Sequence, residues 1–522
     1  MNLAKPVLLF VLMTLVVLAA STAIRYSVDR NIAAGTWNTV IRNWEQFGLL
    51  TLHGRLVDNP GGFEALDKPE VYPGHRATCV YLAFFVKRLF AWTGAGILAF
   101  SVAMSLIVFL STWFLLGKSH AAWLVAAATL LSPGYVLWDA HLDPNAISVL
   151  LGLPFALWLI SRLSQPRLSA TAVTLLFAII LAFTSLNWTT VFVHGALFGC
   201  LLAQRTLPRR RLLLFVALAG LSTLVVAGVS VLGKLSYASA SGQSSNLKDF
   251  LAAYTLGGTG YGIGMTMAKA MVRLGFVNAM GLLPLLLVLG YVLAKHPRRD
   301  GANLWWASLP FCMSLLGLAA MRNYYAHHPW MAAPVLIVGL ILSLRLVLPR
   351  PAPPRQTQSE PARGNKLLGP AGFLAASAAY ATAVIMMSRL HNADSLAMFA
   401  LVHDHTLRSD TLVLVKTLDP VLAGEAVGFA EGADRRVVVL NDLADHSDLG
   451  RQAFVISSTH LDGLPLVARS SEDTIASWPI VQESLAWYSR RIARRNMQDK
   501  PIGSAGPCYL YLLKSSQPPK AD

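Results

Sequence analysis

Long apolar runs almost free of Asp, Glu, Lys and Arg recur along this chain, and they constrain it more than any motif does. They lie at residues 6–24, 96–117, 121–138, 145–161, 168–187, 189–203, 212–232, 277–294, 303–321, 329–347 and 369–388. Each is near the roughly 20 residues that cross a bilayer as a helix. The first, about 19 residues behind Lys5, is longer than the apolar part of a usual signal peptide and reads as a span. Composition agrees: 55% of the 522 residues are hydrophobic and 13% charged, against roughly a quarter charged in an ordinary soluble domain. The expected fold is an α-helical multi-pass membrane protein of about eleven transmembrane helices, followed by a small soluble C-terminal α/β or α+β domain.

The net charge of +16 would point a soluble protein toward nucleic acid. Here the basic residues fall in short loops, where Lys and Arg hold helix ends on the cytoplasmic side. With a cytoplasmic N-terminus those loops hold Lys118; Arg162 and Arg167; Arg205 and Arg209 to Arg211; Lys295, Arg298 and Arg299; and Arg345 to Lys366. The opposite side receives the long segments 25–95 and 233–276, the short loops 139–144 and 322–328, and the tail. This assigns 1–390 to a membrane domain, 349–366 to a cytoplasmic Pro-rich linker and 391–522 to a soluble domain outside the membrane. Cys79, Cys200, Cys312 and Cys508 have no metal-type spacing and indicate no disulfide framework.

The outer segment 25–95 is more than a connector. Trp37, Val40, Ile41, Trp44 and Phe47 recur at helical spacing, leaving Asn38, Arg42, Glu45 and Gln46 on the opposite face. A second apolar helix is expected from about Arg76 to Trp92. The pattern is that of helices lying at the membrane surface with the polar face toward water. In the tail, 435–442 and 453–456 read as strands and 478–495 as a helix.

Ionisable groups are scarce at depth, which disfavours an ion-coupled transporter; His194 is the main exception and reads as an interhelical hydrogen-bonding residue. The polar groups gather instead on the outer face: Asp29, Glu45, His53, Asp67, Lys68, Tyr72, His75, Asp139, His141, Asp143, Lys248, Asp249, Arg322, Tyr324, Tyr325, His327 and His328. Several loops on one side converge on that set, the pattern of a site at the bilayer surface. The glycine run from Gly257 to Gly264 lacks the lysine and strand context of a phosphate loop and reads as a flexible outer loop.

Particular segments carry a family resemblance. They are Trp44-Glu45-Gln46-Phe47 with Gly54-Arg55-Leu56-Val57, then Lys68-Pro69 and Tyr72-Pro73-Gly74-His75, then Ser132-Pro133 leading to Asp139, His141 and Asp143-Pro144, and Arg322 through Pro329 opening a late span. Over about residues 1–390 the chain resembles the GT-C superfamily of polyprenyl-phosphate-sugar-dependent glycosyltransferases, of the dolichyl-phosphate-mannose and aminoarabinose transferase type. The family's first acidic position often shows an acidic pair with a tyrosine close behind; this chain has Glu45 and then Phe47, with Asp29 as the rival.

The resemblance implies an enzyme of the bacterial inner membrane that transfers a hexose or pentose from a polyprenyl-phosphate-linked donor to a lipid, glycan or protein acceptor. Glu45 or Asp29 would act as base, and Asp143, helped by Asp139 or His141, would orient the acceptor or a divalent cation such as Mg or Mn. Lys68, Arg322, His327 and His328 would hold the lipid phosphate, with Tyr72, His75 and Tyr325 beside them. Blander readings stand next to these. Glu45 lies three residues from Arg42, the spacing of a solvated helix pair; Asp139 or Asp143 caps the helix that follows; Arg322 to His328 form an interfacial anchor belt. For the whole chain the alternatives are a transporter or flippase for a lipid-linked glycan and a non-catalytic scaffold of envelope assembly.

Overall fold

The computed structural model describes residues 11–20, 35–57, 59–62, 65–67, 69, 77–89, 94–139, 144–187, 189–204, 207–241, 278–295, 301–320, 332–348, 368–391, 393–419, 423, 430, 433–443, 452–470 and 508–514. The chain divides into two compact units: Met1–Ser27 with Gly74–Val384, and Val28–Pro73 with Ile385–Asp522.

The first unit is helical, and its helices follow the apolar runs. Gly94–Leu115, Ala170–Leu186, Thr190–Ala203, Gly301–Ala320, Ala333–Val347 and Leu368–His391 each sit on one predicted span. Their ends carry recognisable stops. Ser119 and Ser169 accept the N–H groups of Ala122 and Ala172 at 3.1 and 3.2 Å, capping the next helices. Arg345 donates to the terminal carbonyl of Leu115, so a basic residue expected to mark the cytoplasmic side also closes a helix C-terminus.

One predicted span is broken in two, and another loses a single helical hydrogen bond. Residues 121–138 form His120–Leu130 and Pro133–Asp139, because a residue before proline is pushed out of the helical region. Residues 145–161 form Pro144–Leu150 and Gly152–Leu163, with Leu151 between them still helical at φ −61° and ψ −14°; Pro154 has no N–H to offer the carbonyl of Leu150, so one hydrogen bond is lost while the helix runs on. The run 212–232 belongs to a longer helix than expected, Arg209–Ser241, of 33 residues. Within it Arg209–Ser230 is long and apolar enough to cross a membrane.

Ala333–Val347 runs through the interior, buried from Ala333 to Leu344. Small residues let its neighbours approach. A Cβ on Gly199 would lie 3.0 Å from the Pro310 nitrogen, one on Gly317 would collide with the Phe192 ring, and one on Gly339 would meet Ser314. The helix Arg209–Ser241 instead turns Leu213, Leu224 and Val229 outward, at 66%, 71% and 66% exposure. A continuous apolar exterior of this kind suits lipid rather than water. His194, on Thr190–Ala203, is buried among Phe155, Phe183 and Phe215 and lies 2.9 Å from the Thr184 hydroxyl on the preceding helix, the interhelical role expected of it.

The second unit holds a five-stranded mixed sheet: β1 (Thr411–Val415), β2 (Arg436–Leu440), β3 (Ala453–Ser457), β4 (Leu466–Arg469) and β5 (Tyr509–Lys514), in the order β2-β1-β3-β5-β4. β1 runs parallel to both neighbours, pairing Thr411 with Arg436 and with Ala453, while β5 is antiparallel to β3 and β4. Every residue of β1 is buried, as its unbroken Leu/Val run requires. The helix Ala393–His405 covers one face through Leu401 and Val402, packed on Leu412, Leu414, Phe454, Ile456 and Leu510. On the other face Tyr511 accepts the Leu461 N–H at 2.8 Å. β2 and β3 lie where the sequence indicated strands, and the helix expected at 478–495 lies outside the described residues.

Segment 25–95 does not act as one piece. Val28–Pro73 belongs to the unit that contains the sheet; the helix Ala77–Leu89 belongs to the helical unit.

Candidate functional site

The helix Gly35–Phe47 follows the predicted periodicity, with Val40, Ile41 and Trp44 buried and Phe47 half-buried. It is anchored by the chain that follows it. Trp44 Nε1 donates to the Arg55 carbonyl at 2.7 Å, and the buried Asn43 amide donates to the Val57 and Asn59 carbonyls at 2.9 and 3.1 Å. Glu45 stands on the exposed side of this helix, one residue from the anchoring Trp44.

The same helix is tied to the sheet. Arg42 Nη1 lies 2.9 Å from Asp434 Oδ2, and Arg408 Nε lies 2.9 Å from the same oxygen. Arg408 also donates to Asp434 Oδ1 at 3.2 Å, to Asn43 Oδ1 at 2.7 Å and to Gln46 Oε1. Asp434 is 2% exposed, against 35% for Arg42 and 20% for Arg408. Its carboxylate therefore sits at the dry centre of a cationic clamp. This corrects the expectation that Arg42 and Gln46 face water alone: their partners lie far along the chain, where helical periodicity carries no information.

Local geometry explains why these groups meet. Arg408 occupies the short link between Ala393–His405 and β1, a link closed by the Leu407 N–H donating to Asp410 at 2.7 Å. Asp434 occupies the turn before β2 in the left-handed region, φ 49°. β1 and β2 are parallel neighbours, so their N-terminal ends lie side by side. Gly61, at φ 67° in the turn Pro60–Gly62, presses its backbone onto that edge and donates to Asp434 Oδ1 at 3.2 Å. A Cβ there would lie 2.7 Å from the Arg408 carbonyl and 3.2 Å from the Arg436 nitrogen, so only glycine fits.

Burial alone would raise the Asp434 carboxyl, but the Arg408 hydrogen bond, with the charges of Arg408 and Arg42, outweighs it and holds the pKa below 3.8. The neighbouring Arg435 is pushed down to about 10, chiefly by burial, with the Asp434 charge opposing the shift. Arg435 spends its donors on the Thr406 hydroxyl and carbonyl, at 3.0 and 2.9 Å, and on the carbonyls of Ala433 and Asp434. A carboxylate so held is a poor proton acceptor and a good fixing point.

Of the candidate residues, Glu45 is exposed on Gly35–Phe47 and Asp139 is the last residue of Pro133–Asp139. Asp29, Lys68, Tyr72, His75, His141, Asp143, Arg322, Tyr325, His327 and His328 lie outside the described residues. Among the described residues no group of three His, Cys, Asp or Glu side chains is placed to hold a metal ion. Sequence reasoning missed Asp434, Arg408 and Arg435. The charged triplet Asp434-Arg435-Arg436 at the head of a strand was the available signal.

A helical bundle with one broken span, joined to a mixed-sheet unit that also takes in an early loop, defines a membrane-type fold of two units. That fold is similar to the one seen in ArnT from Cupriavidus metallidurans bound to undecaprenyl phosphate, at 13% identity over 99% of both chains and a TM-score of 0.54. The apo form of the same protein aligns at 13% identity over 99% of both chains with a TM-score of 0.49. The archaeal oligosaccharyltransferase AglB from Archaeoglobus fulgidus, in complex with an inhibitory peptide and a dolichol-phosphate, aligns over 82% of this chain and 64% of its own at 13% identity and a TM-score of 0.38. No protein-family model and no curated protein matches the sequence.

Proposed function

We propose that the chain is a membrane glycosyltransferase that takes a sugar from a polyprenyl-phosphate-linked donor and passes it to a lipid, glycan or protein acceptor at the outer face of a bacterial inner membrane. The observation that carries this reading is the fold shared along the whole chain with a protein solved bound to undecaprenyl phosphate. The gathering of ionisable residues in loops assigned to one side of nearly charge-free helices agrees with it. The tail is assigned to that side and the N-terminus to the cytoplasm.

The chemistry asks little of the protein. The bond between the sugar's anomeric carbon and the lipid phosphate breaks, and the electron pair leaves with the phosphate, which already stabilises negative charge. An acceptor oxygen or nitrogen forms the new bond and gives its proton to a carboxylate, Glu45 or Asp29. Asp143, with Asp139 or His141, orients the acceptor; Lys68, Arg322, His327 and His328 meet the phosphate oxygens. A divalent cation, Mg or Mn, would fall to Asp139, His141 and Asp143 and would neutralise charge on the leaving phosphate.

The test replaces Glu45, Asp29 and Asp143 singly by Ala in stably inserted protein and measures transfer from a polyprenyl-linked donor. At least one variant is expected to lose about 100-fold or more, the weight of a general base. Full activity in all three overturns the reading. A flippase would instead move labelled lipid across vesicles with no covalent product.

A further inference from the structure

We infer that Asp434 is a positioning residue for the transfer reaction: through Arg42 and Arg408 it fixes the orientation of the helix Gly35–Phe47, and so of Glu45. The inference rests on the glycosyl-transfer reading with Glu45 in the site.

Three observations carry it. First, the ties converge on one short helix. Thr39, Asn43 and Gln46 all accept from Arg408, and Arg42 donates to Asp434, so four positions along the helix are held from the sheet side. Glu45 lies within that span, between Asn43 and Gln46. A rigid-body rotation of the helix cannot occur without breaking several of these bonds together.

Second, the fixing point is stiff. Asp434 precedes β2, Arg408 precedes β1, and both strands belong to a hydrogen-bonded sheet. Arg435 locks the intervening turn onto Thr406, itself bonded to the Val402 carbonyl at 2.7 Å. A side chain is placed best when its support is itself held.

Third, the arrangement is more elaborate than docking requires. Trp44 and Asn43 already secure the helix to the loop that follows. A buried, doubly paired carboxylate adds directional, charge-assisted bonds where apolar contact would give adhesion without defining rotation. The sheet thereby indexes the helix that carries the candidate base.

The experiment compares wild type, Asp434→Asn, Arg42→Gln and the double variant, full length and in lipid nanodiscs. It measures kcat and donor KM for sugar transfer, with amide exchange in the segment 35–47 and in β1 and β3. Asp434→Asn keeps the shape and removes the charge. The expected result is a fall in kcat of about 10- to 100-fold, the cost of misplacing a reacting group by a fraction of an ångström to about one, with donor KM unchanged. Exchange in 35–47 rises while β1 and β3 stay protected. Arg42→Gln lowers kcat in the same direction by a smaller factor, and the double variant is no worse than Asp434→Asn alone, because both act through one contact.

Wild-type kcat in Asp434→Asn, with an active wild type, overturns the inference and leaves the glycosyl-transfer reading standing. So does a rise in donor KM at constant kcat. If Asp434→Asn loses protection in β1 and β3, Arg42→Gln decides: the half-exposed site leaves the sheet folded, and unchanged kcat there overturns the inference. A folded wild type that transfers no sugar overturns the underlying reading, and the inference with it.

Discussion

Arg42 and Asp434 are 392 positions apart in the chain and 2.9 Å apart in space, and this one ion pair shows that the early loop and the late sheet form one unit. The clamp is asymmetric, with a buried anion and two cations that reach solvent. Removing the anion takes an acceptor from both cations at once, leaving Arg42 to water and Arg408 to Thr39, Asn43 and Gln46; removing either cation leaves the anion with a partner.

Asp434→Ala should therefore cost far more than Arg42→Ala. Asp434→Ala deletes the bonds from Arg42, Arg408 and the Gly61 N–H together, where a single hydrogen bond to a charged group is worth about 1.5–3 kcal/mol, whereas loss of the half-exposed Arg42 should cost about 1 kcal/mol. Amide exchange of residues 35–62 in the full chain reads both. Equal effects, or an Asp434→Ala effect below about 1 kcal/mol, would contradict the arrangement.

The clamp also sets an acid limit. The Asp434 carboxyl titrates below its ordinary 3.8 in the folded protein, so the unfolded chain binds its proton first as pH falls. The stability it contributes is fully present above the unfolded value and is lost as pH drops through the folded one. Protection of 35–62 should hold above pH 3.8 and decline below it in wild type. In Asp434→Asn that step should be missing.

Gly61→Ala tests the backbone contact without touching a charge. The left-handed φ costs an alanine about 1–2 kcal/mol, and its Cβ would overlap the Arg408 carbonyl, which cannot swing away. The variant should loosen the docking of 59–62 and raise proteolysis of the early loop, while Gly463→Ala, at a position with open space around the added Cβ, should not.

Within the helical unit, Gly199→Val should separate Thr190–Ala203 from Gly301–Ala320, since the backbone at Leu309 and Pro310 lies 3.0 to 3.1 Å from where a Cβ would go. Overpacking of this kind costs about 1–3 kcal/mol. A lowered thermal midpoint in detergent is the expected reading; Gly220→Val, with nothing near the added Cβ, should leave it unchanged.

The sequence revealed the helical unit because an apolar run is a local signal whose length matches the element it encodes. Its error came at a proline: Pro133 breaks a run that hydrophobicity alone reads as continuous, whereas the run through Pro154 stays helical from Ile147 to Leu163. β2 and β3 were visible as β-branched runs, but Thr411–Val415 has the same character and was overlooked, as was the helix Ala393–His405. The apolar face of Gly35–Phe47 was legible; the destination of its polar face was not. Arg42 looks like a surface residue in any local window, and only the parallel pairing of β1 with β2 brings Asp434 and Arg408 to it.

The most direct test of the account follows both products of the transfer. Purified wild-type protein in nanodiscs is given a polyprenyl-phosphate-linked labelled sugar and a membrane extract as the acceptor source, and free polyprenyl phosphate and labelled acceptor are quantified by mass spectrometry. The account predicts equal amounts of the two, with at least one of Glu45→Ala, Asp29→Ala and Asp143→Ala reducing both together by about 100-fold. Folded wild-type protein that releases no polyprenyl phosphate and labels no acceptor would contradict it.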